Sequence, residues 1–353
     1  MAKELWKGNE AIAEAAVKAG CKFFFGYPIT PQNEIPEYFS KRLPEVGGCF
    51  IQAESEIAAI NMVYGAAGAG SRVMTSSSSP GISLKQEGIT YIACAELPAV
   101  IVNMMRGGPG LGNIAPSQAD YYQATRGGGN GDYRTVVLAP ATIQEATDLV
   151  QEAFDIADMY RIPVVVLADG MIGQMMEAIE WRTPKKRELP KKSWATDGTN
   201  GVRPHNIINS LFIDAGDCTV QNRKLAKKYQ LIEQNELRYE ITGEAEPEIV
   251  FAAYGTTSRI ARAACMRLKE RGIKASLFRP ITLWPYPSEA LKAEAMKPSV
   301  KAVITVEMSM GQMVDDVRIA LQGAKPVFFV GTGGGTIPVP QEIEEEAMRI
   351  LGR

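Results

Sequence analysis

Short, almost continuous apolar runs alternate along this chain with amphipathic segments of helical period, and this alternation constrains the fold more than any other feature. The runs at 21–28, 99–105 and 163–169 are rich in Val, Ile, Ala and Phe and contain few polar residues. Such strands are typical of parallel sheets, because crossover helices cover both faces of the sheet. The pattern therefore predicts an α/β fold built on a mostly parallel sheet.

The alternation stops near residue 176 and resumes at residue 248, which divides the chain into three parts. We expect a first α/β domain over residues 1–180 and a second, smaller one over residues 246–353. Residues 181–245 have few apolar runs and contain the basic run PKKRELPKK and the single histidine, His205. This composition indicates a linker between the domains or an excursion, with a solvated basic face, in which His205 is interpreted as a structural or surface residue.

The composition excludes several classes of function. The 353 residues include 38 Lys and Arg against 40 Asp and Glu, a balance that leaves no electrostatic footprint for nucleic acid or an anionic membrane. A single histidine excludes most base-assisted nucleophiles and most histidine-ligated metal sites. Chemistry on this chain is therefore expected from carboxylates, from an arginine or from a bound cofactor.

The cysteines and the N-terminal segment predict the compartment. The five cysteines are widely spaced and form no C-x-x-C pair, so neither a zinc site nor an iron–sulfur cluster is expected on this chain. The N-terminal segment lacks the apolar core of a secretion signal, and no stretch approaches the roughly 18 apolar residues of a transmembrane helix. We expect a cytoplasmic protein with reduced cysteines and with no nucleic-acid or membrane partner.

Four loops that follow predicted strands contain the candidate site residues, because ligands of open parallel sheets bind beyond the carboxyl ends of the strands. In the first loop, GYPITPQN, Pro28 and Pro31 restrict the backbone on either side of Thr30. In the fourth, NMMRGGPGLG, Arg106 follows an apolar strand and precedes flexible glycines. A guanidinium at that position can bind a carboxylate through two hydrogen bonds, and a structural ion pair is the alternative interpretation.

The second and third loops offer carboxylates and hydroxyls. The segment QAESEIAAI places Glu54 and Glu56 where a strand ends and a helix begins. Acidic residues there usually complement the helix dipole, but small apolar residues follow Glu56, and a desolvated carboxylate could share a proton with a ligand nitrogen. The segment TSSSSPGISLKQEG offers hydroxyls and helix-start amides, and its lack of a nucleophile elbow or a nearby histidine argues against a serine nucleophile.

Taken in this order, the loops resemble those of the α subunit of 2-oxoacid:ferredoxin oxidoreductases, and the similarity covers essentially the whole chain. The segments that carry it are GYPITPQNE, ESEIAAINMVYGAAGAG, TSSSSPGISLKQE, MRGGPGLG, PSQADYYQATRGG, FRPITLWPYP and VEMSMGQM. Within the family, the sequence is most similar to the branched-chain members, which act on 2-oxoisovalerate (3-methyl-2-oxobutanoate).

The resemblance implies a thiamine-diphosphate-binding domain of the pyrimidine type, followed by a transketolase C-terminal-like α/β domain. It implies that Glu56 is catalytic, because the family glutamate hydrogen-bonds the aminopyrimidine ring and favours the imino form that removes the thiazolium proton. Glu54 is the alternative position for this glutamate.

The resemblance also implies the residues that bind the ligands. Thr30 and Arg106 would bind the 2-oxo acid, Arg106 through the substrate carboxylate. Residues expected to contact the cofactor, besides Glu56, are Tyr27, Pro28, Ile29, Ser78 and Ser79. Ser309 stands where many relatives have asparagine, which puts a polar role of this position in question.

The chain lacks the G-D-G…N segment with which thiamine diphosphate enzymes bind Mg²⁺ and the diphosphate. The resemblance therefore implies half an active site, with Mg²⁺ and the diphosphate site on a β subunit and 4Fe–4S clusters on further γ and ferredoxin-like δ subunits. The expected reaction is oxidative decarboxylation of a 2-oxo acid with CoA, and ferredoxin accepts the electrons. The alternatives are pyruvate or 2-oxoglutarate as substrate, or a non-catalytic assembly subunit of the same fold.

Overall fold

A seven-stranded sheet forms the centre of the first part of the chain in a computed structural model, which describes residues 3–353. In order across the sheet, its strands are β12 (Thr282–Trp284), β6 (Val136–Leu138), β7 (Pro163–Asp169), β5 (Ala99–Met105), β4 (Val73–Ser77), β2 (Phe23–Gly26) and β3 (Cys49–Gln52). All neighbouring strands are parallel except β12 and β6. The predicted mostly parallel sheet is confirmed.

Helices cover both faces of this sheet. The helices on one face are α1 (Gly8–Lys18), α2 (Glu34–Glu45) and α6 (Ile143–Tyr160), and those on the other are α3 (Glu56–Gly68) and α4 (Pro80–Cys94). Strand β5 shows why its sequence is continuously apolar: Val100 and Val102 join the core on the first face, whereas Ile101 joins the core on the second. Burial on both faces removes the polar alternation that a half-exposed strand would show.

The second part of the chain contains a five-stranded sheet. Across it, the strands are β14 (Val327–Gly331), β13 (Ala302–Glu307), β10 (Ile249–Ala252), β11 (Ala275–Pro280) and β9 (Tyr239–Gly243), and only β9 is antiparallel to its neighbour. One face packs against α9 (Gly255–Glu270) and α12 (Pro340–Leu351), and the other against α10 (Ser288–Ala295) and α11 (Met313–Leu321). The apolar cluster under α10 and α11 is continuous with that under α3 and α4, so the two sheets share one core.

The segment 181–245 is more ordered than its composition suggested. It contains α8 (Ala215–Asn235), a helix of 21 residues that packs Leu225, Tyr229 and Ile232 on the core of the first sheet. The expected connection or excursion therefore contains a helix of its own, and β9 within it belongs to the second sheet. His205 lies exposed in the irregular stretch before α8.

The remaining elements are short. Strand β1 (Glu4–Lys7) pairs antiparallel with β8 (Met176–Ile179), and the single-turn helices are α5 (Tyr121–Thr125) and α7 (Gly170–Gln174). Over residues 3–353, no helix has both the length and the apolar character needed to span a membrane.

Candidate functional site

The loops after β2, β4 and β5 meet at one edge of the first sheet, because these strands are neighbours and run parallel. They bring Thr30, Ser79 and Arg106 into direct contact. The Arg106 guanidinium Nη1 donates to the Thr30 carbonyl oxygen at 2.9 Å, and the Arg106 backbone N–H donates to Ser79 Oγ at 3.0 Å. Three of the residues selected from sequence therefore lie in a single constellation.

Arg106 is a buried cation that backbone carbonyls hold in place. Besides the bond to Thr30, its Nη2 donates to the Leu111 carbonyl at 3.1 Å, whereas its Nε is buried without a partner. Its side chain lies within 4.0 Å of no carboxylate of the described residues, so the alternative of a structural ion pair is wrong in this structure. A buried guanidinium with a free N–H and no counter-ion is suited to an anionic ligand.

Ser79 is held in a strained conformation at the start of α4. Its φ of 22° lies in the left-handed region that non-glycine residues rarely occupy. Asn103 and Asp120 fix it there: the Ser79 N–H donates to Asn103 Oδ1 at 3.2 Å, and its hydroxyl donates to Asp120 Oδ2 at 2.6 Å. The Asn103 amide also donates to Asp120 at 2.9 Å, and burial raises the pKa of the Asp120 carboxyl.

Asn103 and Asp120 were not selected from sequence. The segment PSQADYY that contains Asp120 carries part of the family resemblance, but only the contact with Ser79, 41 residues earlier in the chain, shows what its carboxylate does.

Two further serines present unused hydroxyls at this edge. Ser77 ends β4 and Ser78 follows it, and the hydroxyl oxygens of both are buried without a hydrogen-bond partner. Buried hydroxyls are normally paired, so these two orphans mark a place where a polar ligand would complete the bonding. Ser78 was expected to contact the cofactor, whereas Ser77 was not named.

Glu56 is the first residue of α3 and points inward. Ser55 caps the helix by accepting a hydrogen bond from the Ala58 N–H at 3.2 Å, and the Glu56 side chain is 6% exposed. Glu54, the alternative candidate, is exposed at the end of β3. The structure therefore places Glu56, and not Glu54, among the buried residues of the site.

The Glu56 carboxylate lies against the first turn of α4. A Cβ atom added to Gly81 would meet Glu56 Oε1 at 2.6 Å and Ser77 Oγ at 2.1 Å, so any larger residue here would displace these side chains. The two helices also approach closely farther along, where Gly88 packs on the Ile60 side chain. Because the N-terminus of a helix carries a partial positive charge, the start of α4 favours the carboxylate at this position.

The loop after β2 covers the site from outside. Tyr27 and Pro28 are exposed, whereas Ile29 and Thr30 are partly buried. The Thr30 hydroxyl oxygen accepts only a long hydrogen bond, of 3.4 Å, from the Asn33 amide. The side chains of this loop are therefore free to contact a ligand.

Lys85 is a second buried cation near the site, and it was not selected from sequence. Its side chain is fully buried in α4, and its Nζ donates to Thr75 Oγ1 at 2.7 Å. Burial lowers the pKa of Lys85 to about 7, and the charge of Glu56 opposes this shift. The signal in the sequence is the helical spacing of Ile82, Lys85 and Ile89, which puts the lysine on the apolar face of α4.

Ser309 has a polar role of its own, at the carboxyl end of β13. Its hydroxyl donates to Glu307 Oε2 at 2.9 Å and accepts from the Gly311 N–H at 3.0 Å. The neighbouring Met308 N–H donates to Gln118 of the first part of the chain at 3.0 Å. This serine therefore orders a loop that ties the second sheet to the segment containing Asp120.

The arrangement as a whole offers a buried carboxylate, two unpaired hydroxyls and a buried guanidinium on one sheet edge. Such a set can hold a nitrogen heterocycle through Glu56 and a carboxylate through Arg106, and its orphaned polar atoms fit a polar ligand. Over the part of the chain that the structure covers, no group of three or more His, Cys, Asp or Glu side chains is placed to hold a metal ion.

Two family models match the chain. Residues 14–240 match the model for "Pyruvate flavodoxin/ferredoxin oxidoreductase, thiamine diP-bdg", and residues 247–343 match that for "Pyruvate:ferredoxin oxidoreductase core domain II". Together they cover both sheets of the structure.

Two curated relatives match this chain over nearly all of their own length. The "Ketoisovalerate oxidoreductase subunit VorB" of Methanothermobacter thermautotrophicus is 49% identical over 352 residues, which cover 100% of this chain and 99% of the relative. The "2-oxoglutarate synthase subunit KorA" of Methanocaldococcus jannaschii is 36% identical and matches over 99% of this chain and 100% of its own length.

Two solved structures are similar. A 2-oxoglutarate:ferredoxin oxidoreductase from Magnetococcus marinus, with 2-oxoglutarate, coenzyme A and succinyl-CoA bound, superposes with a TM-score of 0.88 at 26% identity and covers 99% of this chain and 65% of that one. A split-gene transketolase superposes with a TM-score of 0.62 at 16% identity, a likeness of fold alone, over 98% of each chain.

Proposed function

Because this chain belongs to the pyruvate flavodoxin/ferredoxin oxidoreductase family, we propose that it is the subunit of a branched-chain 2-oxoacid:ferredoxin oxidoreductase that holds the pyrimidine half of thiamine diphosphate. The complex converts 3-methyl-2-oxobutanoate and CoA to the acyl-CoA and CO₂ and reduces ferredoxin. The observation that supports this best is the burial of Glu56 against α4, beside unpaired hydroxyls, in a chain so similar to a ketoisovalerate oxidoreductase subunit.

Glu56 holds a proton at a nitrogen of the cofactor ring in this proposal. Thiamine diphosphate, when bound, would supply a nucleophilic carbon for the 2-oxo group and an electron sink for the decarboxylation. A buried carboxylate is a strong acceptor for a ring N–H, since water does not compete for it. With Glu56 in this role, the proposed function needs no histidine of this chain.

Arg106 and Thr30 bind the substrate. The unpartnered Nε and the adjacent Nη of Arg106 are suited to the carboxylate of a 2-oxo acid, and the Thr30 hydroxyl to its oxo group. The Arg106 side chain is anchored to the Thr30 backbone carbonyl, so the guanidinium and the residue that carries the hydroxyl keep a fixed distance from each other. This preorganisation favours reaction at the carbon between them.

The neighbouring loop favours a branched alkyl chain over a second carboxylate. Leu111 and Ile114 are exposed at 80% and 64% on the loop after Arg106, where they can cover an apolar substrate end. The next basic residue, Arg126, pairs with Asp316 at 3.1 Å. The relatives that are named for 2-oxoglutarate make that acid the second candidate substrate.

A partner subunit completes the site. Helices α3 and α4 both begin at the site and carry exposed apolar side chains on their outer faces, among them Ile57, Met62, Leu84 and Tyr91. Exposed apolar groups of this kind are typical of protein interfaces. We assign to this partner the Mg²⁺ and diphosphate site, and to further subunits the 4Fe–4S clusters that pass electrons to ferredoxin.

The test is to purify the complex through this chain and measure viologen reduction with CoA and a panel of 2-oxo acids. We expect bound thiamine diphosphate and the highest kcat/KM with 3-methyl-2-oxobutanoate, and the same complex without CoA is the control. A higher kcat/KM with 2-oxoglutarate or pyruvate would overturn the substrate assignment. A complex without thiamine diphosphate and without turnover on any 2-oxo acid would overturn the function.

A further inference from the structure

Lys85 is buried without the ion pair that buried lysines usually have. Its Nζ donates to the Thr75 hydroxyl oxygen, which in turn donates its own proton to the Phe25 carbonyl at 2.6 Å. Among residues 3–353, no carboxylate lies within 4.0 Å of this ammonium, whereas the partly buried Lys228 pairs with Glu96 at 3.2 Å. The ammonium of Lys85 is thus desolvated with one neutral partner.

The geometry of α4 and β4 places Lys85 behind Glu56. Gly81 and Lys85 are one helical turn apart and share the inner face of α4. Ser77 and Thr75 share one face of β4, since side chains alternate along a strand. Gly81 lies against Glu56 and Ser77, and Lys85 lies against Thr75, so the ammonium sits one turn deeper than the carboxylate between the same two elements.

Packing alone does not account for a lysine at this position. A methionine would fill a similar volume without the free energy that burial of an ammonium costs. Glu56 is the charged group that acts on Lys85 from the elements packed around it, and it favours the protonated lysine. The two opposite charges are therefore coupled to each other in a region from which water is excluded.

We propose that Lys85 is a positioning residue that holds the Glu56 carboxylate in place, directed at the cofactor ring. The proposal rests on the proposed function of Glu56. The Glu56 carboxylate accepts a ring N–H in that function, and the ammonium behind it attracts the carboxylate before and during binding. When Lys85 loses its proton, Glu56 loses this support, and both cofactor binding and turnover weaken as the pH rises.

The experiment compares K85M, K85R and the matched control K228M in the purified complex. We expect K85M to lower kcat about a hundredfold with little change in the KM for the 2-oxo acid, the size of effect that follows when a catalytic group is slightly misplaced. K85M should also weaken thiamine diphosphate binding, measured by calorimetry. K85R should keep most of the activity without the alkaline decline, and K228M should keep the wild-type pH profile.

A K85M complex with wild-type cofactor affinity, kcat and pH profile would overturn the proposal. If K85M does not assemble, the pH profile of K85R tests the proposal. An alkaline decline in activity that persists in K85R cannot come from the lysine and would overturn it. Thermal unfolding of E56Q, K85M and the double variant tests the coupling without turnover, and additive changes would overturn it. Failure of the proposed function would be recognised by a different result, because the wild-type complex itself would then bind no thiamine diphosphate.

Discussion

Gly81→Ala is the substitution that tests the geometry around Glu56 most directly. The added Cβ would lie 2.6 Å from Glu56 Oε1 and 2.1 Å from Ser77 Oγ, where ordinary contact begins at 3.4 Å. To regain a distance of 3.4 Å from the new Cβ, Glu56 Oε1 must move by about 0.8 Å. Displacements of about 1 Å can cost about a hundredfold in rate, so we expect a loss of that order in kcat.

The effect of Gly81→Ala on stability should be small by comparison. Within a helix, alanine is more stable than glycine by about 1 kcal/mol, whereas overpacking costs about 1–3 kcal/mol. The two terms oppose each other, so the free energy of unfolding should fall by at most about 2 kcal/mol. The assay measures viologen reduction, thiamine diphosphate affinity and thermal unfolding on the same preparation.

Gly68→Ala is the matched control for Gly81→Ala. Gly68 is the last residue of α3, and a Cβ atom added to it would make an ordinary contact of 3.8 Å with Ile208. We expect wild-type activity and unchanged or slightly higher stability from this control. A Gly81→Ala complex with wild-type turnover and cofactor affinity would refute the assignment of Glu56 to the cofactor.

Three further predictions follow from the same contacts. Glu56→Gln should abolish turnover while thermal unfolding of the chain stays close to that of the wild type, and wild-type rates would contradict its catalytic role. Arg106→Ala should raise the KM for the 2-oxo acid far more than that for CoA, and equal effects on both would argue against carboxylate binding. The pKa of Lys85 falls from 10.5 to about 7 on burial, so the unfolded chain binds more protons between these values. Stability attributable to Lys85 therefore rises with pH across that window, and Lys85→Met should flatten the rise in unfolding experiments relative to wild type.

The alternating pattern predicted most of the fold because burial on both faces of a sheet leaves a strong sequence signal. Strands β5 and β7 are buried throughout and consist mostly of apolar residues, so they are easily recognised as apolar runs in the sequence. Helix α8 gives no such signal in the sequence, because only Leu225, Tyr229 and Ile232 of its 21 residues are buried. A helix that docks by so narrow a stripe resembles a solvated segment in its composition.

The site was predictable to the extent that topology determines it. Neighbouring parallel strands end at one edge, which is why Thr30, Ser79 and Arg106 meet as expected. The partners that fix these residues were not predictable, because Asp120 reaches Ser79 across the sheet edge through tertiary structure alone. Glu54 and Glu56 differ in burial only once α3 is placed on α4.

The buried side chains of Asp120 and Lys85 show how a chain with a single histidine can still contain groups with shifted pKa values. Burial raises the pKa of Asp120 and lowers that of Lys85 to about 7, so an acid and a base near the same sheet edge shift toward neutrality from opposite sides. A site can therefore respond to pH near neutrality without an imidazole, because desolvation brings the pKa of Lys85 into that range. With His205 exposed and outside the site, any pH dependence of turnover near neutrality that comes from this chain should follow Lys85 and not the histidine.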